Sequence, residues 1–413
     1  MRADPLRLGV NYTPSQNWFH HWLDLDLGAV GADLDAVAGL GMDHVRIFPL
    51  WNLLQPNRTL IRTRGIDDVL AVVDAAAARG LDTAVDVLQG HLSSFDFLPA
   101  WVSTWHRRNV FTDHEVVAAQ AELTRVLARE LVDRPHAIGL TLGNEFGQFA
   151  ASRHPEPNEL TVQQAGAWLG TLLGAARQVW PDGLHTHCFD DDLWFVEDHP
   201  FTPRHAVEHG DMTTVHSWIF TGVADRYGAG HPALSLFAAY LVELATAWSP
   251  QTGRPVWLQE VGAPAPQVPA AEVPGFLDST LTALASVPEL WGVTWWCSHD
   301  VTRALADFPE LEHTLGLLGP DNRPKPAGER FAEIAPRMRA TAPARSADRP
   351  GLVLELEDEA AGIGRSRSSP AGDLFDRWLA LRLAGADPAI VLGSRVGDPS
   401  YLSTRGVASC IRP

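Results

Sequence analysis

Short apolar runs alternate with longer amphipathic segments from the amino terminus to about residue 336. The short runs, at 8–11, 43–48, 82–88, 138–143, 184–188, 213–216, 255–259 and 292–296, are mostly apolar or β-branched throughout. That pattern belongs to strands covered on both faces, as in a parallel sheet. Between them lie Ala-, Leu- and Val-rich segments with charges at helical spacing, at 66–78, 114–131, 162–179 and 232–247. Thr112-Asp113, ahead of the second of these, is a helix-start signal. Eight strand–helix units predict a (β/α)8 TIM barrel over residues 1–340. A doubly wound sheet needs fewer units and a glycine-rich loop after its first strand. Here that strand runs into Tyr12-Thr13-Pro14-Ser15, which forms no such loop.

Beyond residue 337 the pattern changes. Residues 338–350 are rich in Ala, Arg and Pro and read as a linker or surface strap, and 364–372 hold the polar run Arg365-Ser366-Arg367-Ser368-Ser369. Around them a strand at 352–356, a helix at 374–383 and a strand at 389–392 predict a small C-terminal α/β appendage over 341–413. Its residues carry no readable role.

Composition then narrows the function classes. A hydrophobic share of 46% and a charged share of 20% are those of an ordinary soluble enzyme. Fifty acidic residues against 32 basic ones leave a formal charge of −18, which repels nucleic acid and anionic membrane and argues against both as partners. No apolar stretch is long enough to span a bilayer, and Arg2, Asp4 and Arg7 interrupt the amino terminus where a signal peptide would be apolar. Cys188, Cys297 and Cys410 have none of the spacings of a disulfide or zinc framework. The expectation is a cytoplasmic protein with free thiols and no cofactor. The 15 tryptophans fit either sugar-stacking faces or core filling, and composition leaves both open.

Barrel active sites lie at the carboxyl ends of the strands. There the second strand delivers Arg46, the third leads to His91, the fourth ends in Asn144-Glu145, the sixth in His216, the seventh in Glu260 and the eighth in Trp295-Trp296. Charged groups at the ends of apolar strands carry a desolvation penalty unless paired or used. Two facing carboxyls suit glycosidic cleavage: one protonates the leaving oxygen, the other attacks or stabilises the oxocarbenium-like centre. A retaining enzyme holds them about 5 to 5.5 Å apart. Burial and repulsion should raise the acid's pKa, while Arg46 keeps the nucleophile ionised.

Leu140-Thr-Leu-Gly-Asn144-Glu145 resembles the fourth-strand Asn-Glu of the clan of retaining barrel glycosidases, and Trp257-Leu-Gln-Glu260-Val-Gly262 resembles its seventh-strand nucleophile. The likeness runs through the barrel to Arg323-Pro-Lys-Pro-Ala and is greatest to glycoside hydrolase family 5. Asn17-Trp-Phe-His-His-Trp22 and Leu88-Gln-Gly-His-Leu-Ser-Ser-Phe-Asp-Phe97 look like its β-mannosidase-type branch. The resemblance implies Glu145 as acid/base and Glu260 as nucleophile. It implies Asn144 on the sugar 2-hydroxyl, Arg46 and His216 orienting the carboxylates, His91 among the substrate-holding residues, and Trp296 beneath the sugar. One position departs: the family usually has a tyrosine two residues after His216, and here it is Trp218.

Other readings compete. The run Asp190-Asp191-Asp192 is a rim for sugar hydroxyls or a solvated acidic loop. His185, His187 and His216 faintly suggest a metal-dependent hydrolase, but the first strand lacks the histidines such barrels carry. The expected function is exo-acting hydrolysis of a β-mannosidic bond in a short oligosaccharide, without metal. A β-1,4-mannanase, a β-glucosidase and a non-catalytic sugar-binding barrel are the alternatives.

Overall fold

In chain order the strands are β1 (Arg7–Asn11), β2 (His44–Ile47), β3 (Asp82–Asp86), the short arms β4 (His91–Leu92) and β5 (Phe95–Asp96), β6 (Ala137–Thr141), β7 (Thr213–Ser217), β8 (Val256–Val261) and β9 (Leu290–Trp295). The structure, a computed structural model, describes residues 4–105 and 107–412. Residues 1–3, part of the amino-terminal reading, and Pro413, the end of the appendage, lie outside the described residues. Seven of these nine join one parallel sheet in the order β6-β3-β2-β1-β9-β8-β7, and β4 and β5 form a small antiparallel ribbon. Helices surround the sheet, and the fold is the expected (β/α)8 TIM barrel.

The expected fifth strand is the exception, because residues 184–188 make one bridge, Thr186 to Thr141, and no ladder. The segment lies along β6, where the N–H groups of Leu184 and Thr186 donate to Ile138 and Leu140, both at 2.8 Å. Toward β7, side chains replace the ladder. Asp211 accepts the His185 N–H at 2.7 Å, and Thr214 Oγ1 donates to the His187 carbonyl at 2.6 Å. Gly139 permits the close approach to β6, since a Cβ there would stand 1.9 Å from the Leu184 carbonyl oxygen.

The helices follow their apolar spacing. His114–Leu131 and Val162–Val179 begin and end where the pattern does, the first capped by Asp113 and the second by a Thr161–Gln164 capping box. Pro232–Trp248 is buried along nearly its whole length. No helix among the described residues is long and apolar enough to cross a membrane.

The supposed linker is shorter than its composition suggests. Helix Pro326–Ala340 runs into it because Phe331, Ile334, Ala335 and Met338 continue one buried face. Strand β10 (Arg349–Leu354) then pairs in parallel with β11 (Ala389–Leu392) and with β12 (Val407–Ile411). The sequence reading missed β12 and helix Pro399–Thr404; β12 is mostly exposed and lacks an apolar run. This sheet and helix Asp373–Leu383 pack on Pro232–Trp248, with the Phe375 ring 4.8 Å from Tyr240. Leu352, Leu354, Phe375 and Trp378 belong to the same apolar core as the barrel.

Candidate active site

Arg46, at the end of β2, is fully buried and ties four strand ends together. Its Nε and Nη2 donate to the two oxygens of Asp86 at 2.8 and 2.7 Å, a bidentate pair that fixes the guanidinium plane. Nη1 donates to Glu260 Oε1 at 3.0 Å and to Asn11 Oδ1 at 3.2 Å. Nη2 also reaches Asn144 Oδ1 at 2.8 Å and Cys188 Sγ at 3.2 Å. The strands can carry so many polar ends because each of these groups is satisfied by another.

Glu145 follows β6 with φ 42° and ψ 36°, a left-handed conformation that costs a non-glycine residue roughly 1 kcal/mol and turns its side chain toward β7. His216 meets it there: Nδ1 is 2.7 Å from Glu145 Oε1 and 3.3 Å from Glu260 Oε2. Its Nε2 lies 3.4 Å from Gln259 Oε1, whose amide nitrogen is turned to Thr141. Every partner of the ring is an acceptor, so both nitrogens carry protons. Burial alone would lower the pKa of His216, but Glu260 and its other neighbours hold it well above the ordinary histidine value.

Glu260 has a third donor. The indole N–H of Trp218 reaches Oε2 at 3.2 Å, so the residue that departs from the family pattern still supports this carboxylate. Gly262 makes room for that ring, since a Cβ there would stand 3.0 Å from it. Burial, opposed by His216 and reinforced by Glu145, pushes Glu260 up to about 7. In Glu145 burial acts upward too, but the hydrogen bond and charge of His216 outweigh it and hold the group below its usual range. This order reverses the sequence expectation. The imidazolium stands closer to Glu145, and Arg46 shares its charge with Asp86, so the two carboxyls titrate as one coupled unit with His216.

The two glutamates open into a pocket of about 370 Å3 that also includes His91, Asn144, Trp218 and Trp296. His91 is anchored by Asp96, 2.9 Å from its Nδ1. Trp296 is buried and braced edge-on by Phe48, whereas Trp295 packs into the barrel wall against Phe276. Every side chain expected at the site is therefore gathered there. The Asp run divides: Asp190 and Asp191 are buried in the pocket wall, joined to Arg153 and Thr221, while Asp192 pairs with Arg153 outside it. Burial, with the charge of Glu145 adding, pushes Asp190 up to about 6. Burial likewise takes Asp191 to about 8.

Sequence reasoning missed Asn11, Asp86, Cys188 and Glu312. Asp86 had a signal, an acidic residue closing the β-run Asp-Thr-Ala-Val-Asp at the level of Arg46. Glu312 had none, because it sits in the long loop after β9. It is a buried pocket residue, pushed up to about 7 by burial, with the charge of Glu260 adding. Ser93 and Ser94 beside it both have left-handed backbones. Among the described residues, Glu145, His216 and Glu260 hold ligand atoms within 4.8 Å of one another. His185 and His187 do not join them: His185 is bound to the Trp180 carbonyl at 2.7 Å, and the His187 ring lies 4.9 Å from that of Phe189.

Neither a protein-family model nor a curated protein sequence matches the chain. Solved structures do. GH5_18 from Streptomyces cattleya, solved in complex with Manb1-4GlcNAc, is 53% identical over 99% of both chains, with a TM-score of 0.97. A GH5_18 from Bifidobacterium longum subsp. infantis is 44% identical over 99% of this chain and 97% of that one, with a TM-score of 0.96. The exo-β-1,4-mannosidase Op5Man5 from Opitutaceae bacterium strain TAV5 shares the fold at 24% identity and a TM-score of 0.82, over 98% of this chain and 72% of its own. At this identity over the whole barrel, the chain belongs to subfamily 18 of glycoside hydrolase family 5.

Proposed function

We propose that the protein is a retaining exo-β-mannosidase that cleaves a short β-mannoside of the Manβ1-4GlcNAc type by double displacement. The observation that carries this reading is the meeting of Glu145 and Glu260 on one imidazole nitrogen, with their oxygens within 4.8 Å of each other. Oxygens that meet on one nitrogen favour direct attack, because inversion needs a water between the carboxyls. The disaccharide held by the Streptomyces cattleya relative supports the choice of sugar. The pocket, near the small end of ligand sites, supports a short substrate.

Glu260, held by Arg46 and Trp218, attacks the anomeric carbon. Glu145 gives its proton to the leaving oxygen and later takes one from water. Asn144, its carbonyl oxygen engaged by Arg46, presents its NH2 to the 2-hydroxyl, and the Trp296 face lies beneath the ring. The leaving sugar lies on the side of the acid, with Asp190 and Asp191; the mannose lies on the side of the nucleophile, with Glu312.

Nitrophenyl β-glycosides, Manβ1-4GlcNAc and mannan, followed by NMR, test this. Mannoside-specific release of β-mannose as first product is expected. A preference for β-glucosides overturns the sugar, and faster cleavage of mannan than of the disaccharide overturns the exo action. First release of α-mannose overturns retention, and inertness toward all of them leaves a sugar-binding barrel.

A further inference from the structure

The appendage reaches back to the active site through one turn. Arg365, in the turn Arg365–Ser368, is fully buried, and backbone carbonyls accept from both terminal nitrogens of its guanidinium. Two of them, Gly362 at 2.9 Å and Ala361 at 3.4 Å, are its own neighbours; the other two, Val196 and His199, belong to the loop after residue 188. The same turn takes further hold of that loop. The one Ser368 Oγ proton is shared between the Arg365 carbonyl at 2.6 Å and the Trp194 carbonyl at 3.1 Å, and the N–H groups of Gly364 and Ser366 donate to Glu197 at 3.1 and 3.0 Å. The turn is itself fixed to the barrel, since Tyr240 donates to the Ser368 carbonyl at 2.7 Å and Arg226 to that of Pro370 at 2.7 Å. Four residues of the loop are thus held, immediately after the Asp190 and Asp191 that wall the pocket near Glu145. A buried cation taken up by main-chain carbonyls fixes a backbone path whatever the side chains along it.

We propose that the carboxy-terminal appendage is a strap that positions the leaving-sugar side of the pocket, with Arg365 as its main positioning residue. It holds 194–199 so that Asp190 and Asp191 stand ready to bond the polar groups of the leaving sugar. Ordering this loop before binding spares the complex that entropic cost. The proposal rests on the reading of Glu145 as acid/base, which places the leaving sugar beside these aspartates.

Arg365→Ala and the milder surface variant Glu197→Ala test it, by kinetics and by amide hydrogen exchange. KM for Manβ1-4GlcNAc is expected to rise about tenfold in the first and about threefold in the second, the scale of one or two lost hydrogen bonds. Turnover of dinitrophenyl β-mannoside, whose leaving group makes no sugar contacts, stays within about twofold. Exchange quickens at 190–199 and not in β8. If Arg365→Ala does not fold, Glu197→Ala decides alone. Unchanged exchange at 190–199 overturns the strap. Faster exchange with both substrates impaired alike overturns its bearing on the leaving sugar. A wild-type protein inert toward both mannosides overturns the β-mannosidase reading instead, and the exchange result still decides whether the strap holds the loop.

Discussion

Glu145 and Glu260 share one histidine, yet their other partners differ, and the difference fits the roles proposed for them. Glu260 accepts from Arg46 and Trp218 in a fully enclosed position, which suits a group that must stay aimed at one atom. Glu145 has one further weak donor, Gln148 at 3.4 Å, and keeps freedom to exchange a proton. Azide needs no general base, so it should restore turnover in Glu145→Ala and yield a β-glycosyl azide from the covalent intermediate. On Glu260→Ala it should occupy the vacated space and give the α product; exchanged configurations would reverse the assignment. Trp218→Phe keeps the ring and loses the N–H. A hydrogen bond to a charged group is worth about 1.5 to 3 kcal/mol, so kcat should fall roughly tenfold to a hundredfold with KM little changed. An unchanged kcat would mean that Arg46 suffices to hold the nucleophile.

Among the elements, helix Pro232–Trp248 joins the barrel to the appendage, and one of its carboxylates gathers three appendage groups. Glu243 pairs with Arg349 at 3.0 Å and with Arg405, and accepts the Ile390 N–H at 2.8 Å, so all three appendage strands or their flanks converge on it. Burial raises its pKa, but the two guanidiniums prevail and hold it below the ordinary glutamate range. A carboxyl with a depressed folded-state pKa stabilises above its unfolded pKa, about 4.3, and that contribution is lost as pH falls through the folded value. Glu243→Gln leaves two buried cations facing a neutral amide and should lose about 3 to 5 kcal/mol at neutral pH. The deficit, read from denaturant melts, should shrink as pH falls below about 4. A deficit that does not change with pH would mean that Glu243 acts through packing alone.

At the scale of the whole molecule the apolar core runs without a break from the barrel into the appendage. Phe375 packs against Phe237 and Tyr240, and Leu352, Leu354 and Trp378 belong to the core that holds the barrel helices. Continuous burial couples the two parts, so neither should melt first. On heating, far-UV circular dichroism, tryptophan fluorescence and residual activity should be lost in one coincident transition. An early transition that spares activity would show an appendage that folds apart from the barrel.

The local pattern of the chain was enough for the long helices at 114–131, 162–179 and 232–247 and for seven of the barrel strands, because burial on one stripe or on both faces leaves a period that can be read within a few residues. It also led to both glutamates, since a charge that ends an apolar run has few reasons to be there. The eighth stave was misread because residues 184–188 have the composition of a strand, while Asp211 and Thr214, outside the segment, take the bonds its ladder would have made. Glu312 in the pocket and Arg365 on the 194–199 loop left no signal; Asp86 against Arg46 left only a carboxylate closing its run, and Trp218 on Glu260 only a departure from the family's tyrosine. Each is a meeting of residues 40 or more positions apart. Such meetings depend on strand register and on where long loops return, which no local period records. The sequence alone led to the barrel and to a pair of candidate carboxylates with Arg46 and His216 beside them; tertiary structure decided which atoms meet, because a hydrogen bond across the barrel mouth exists only once the sheet has closed.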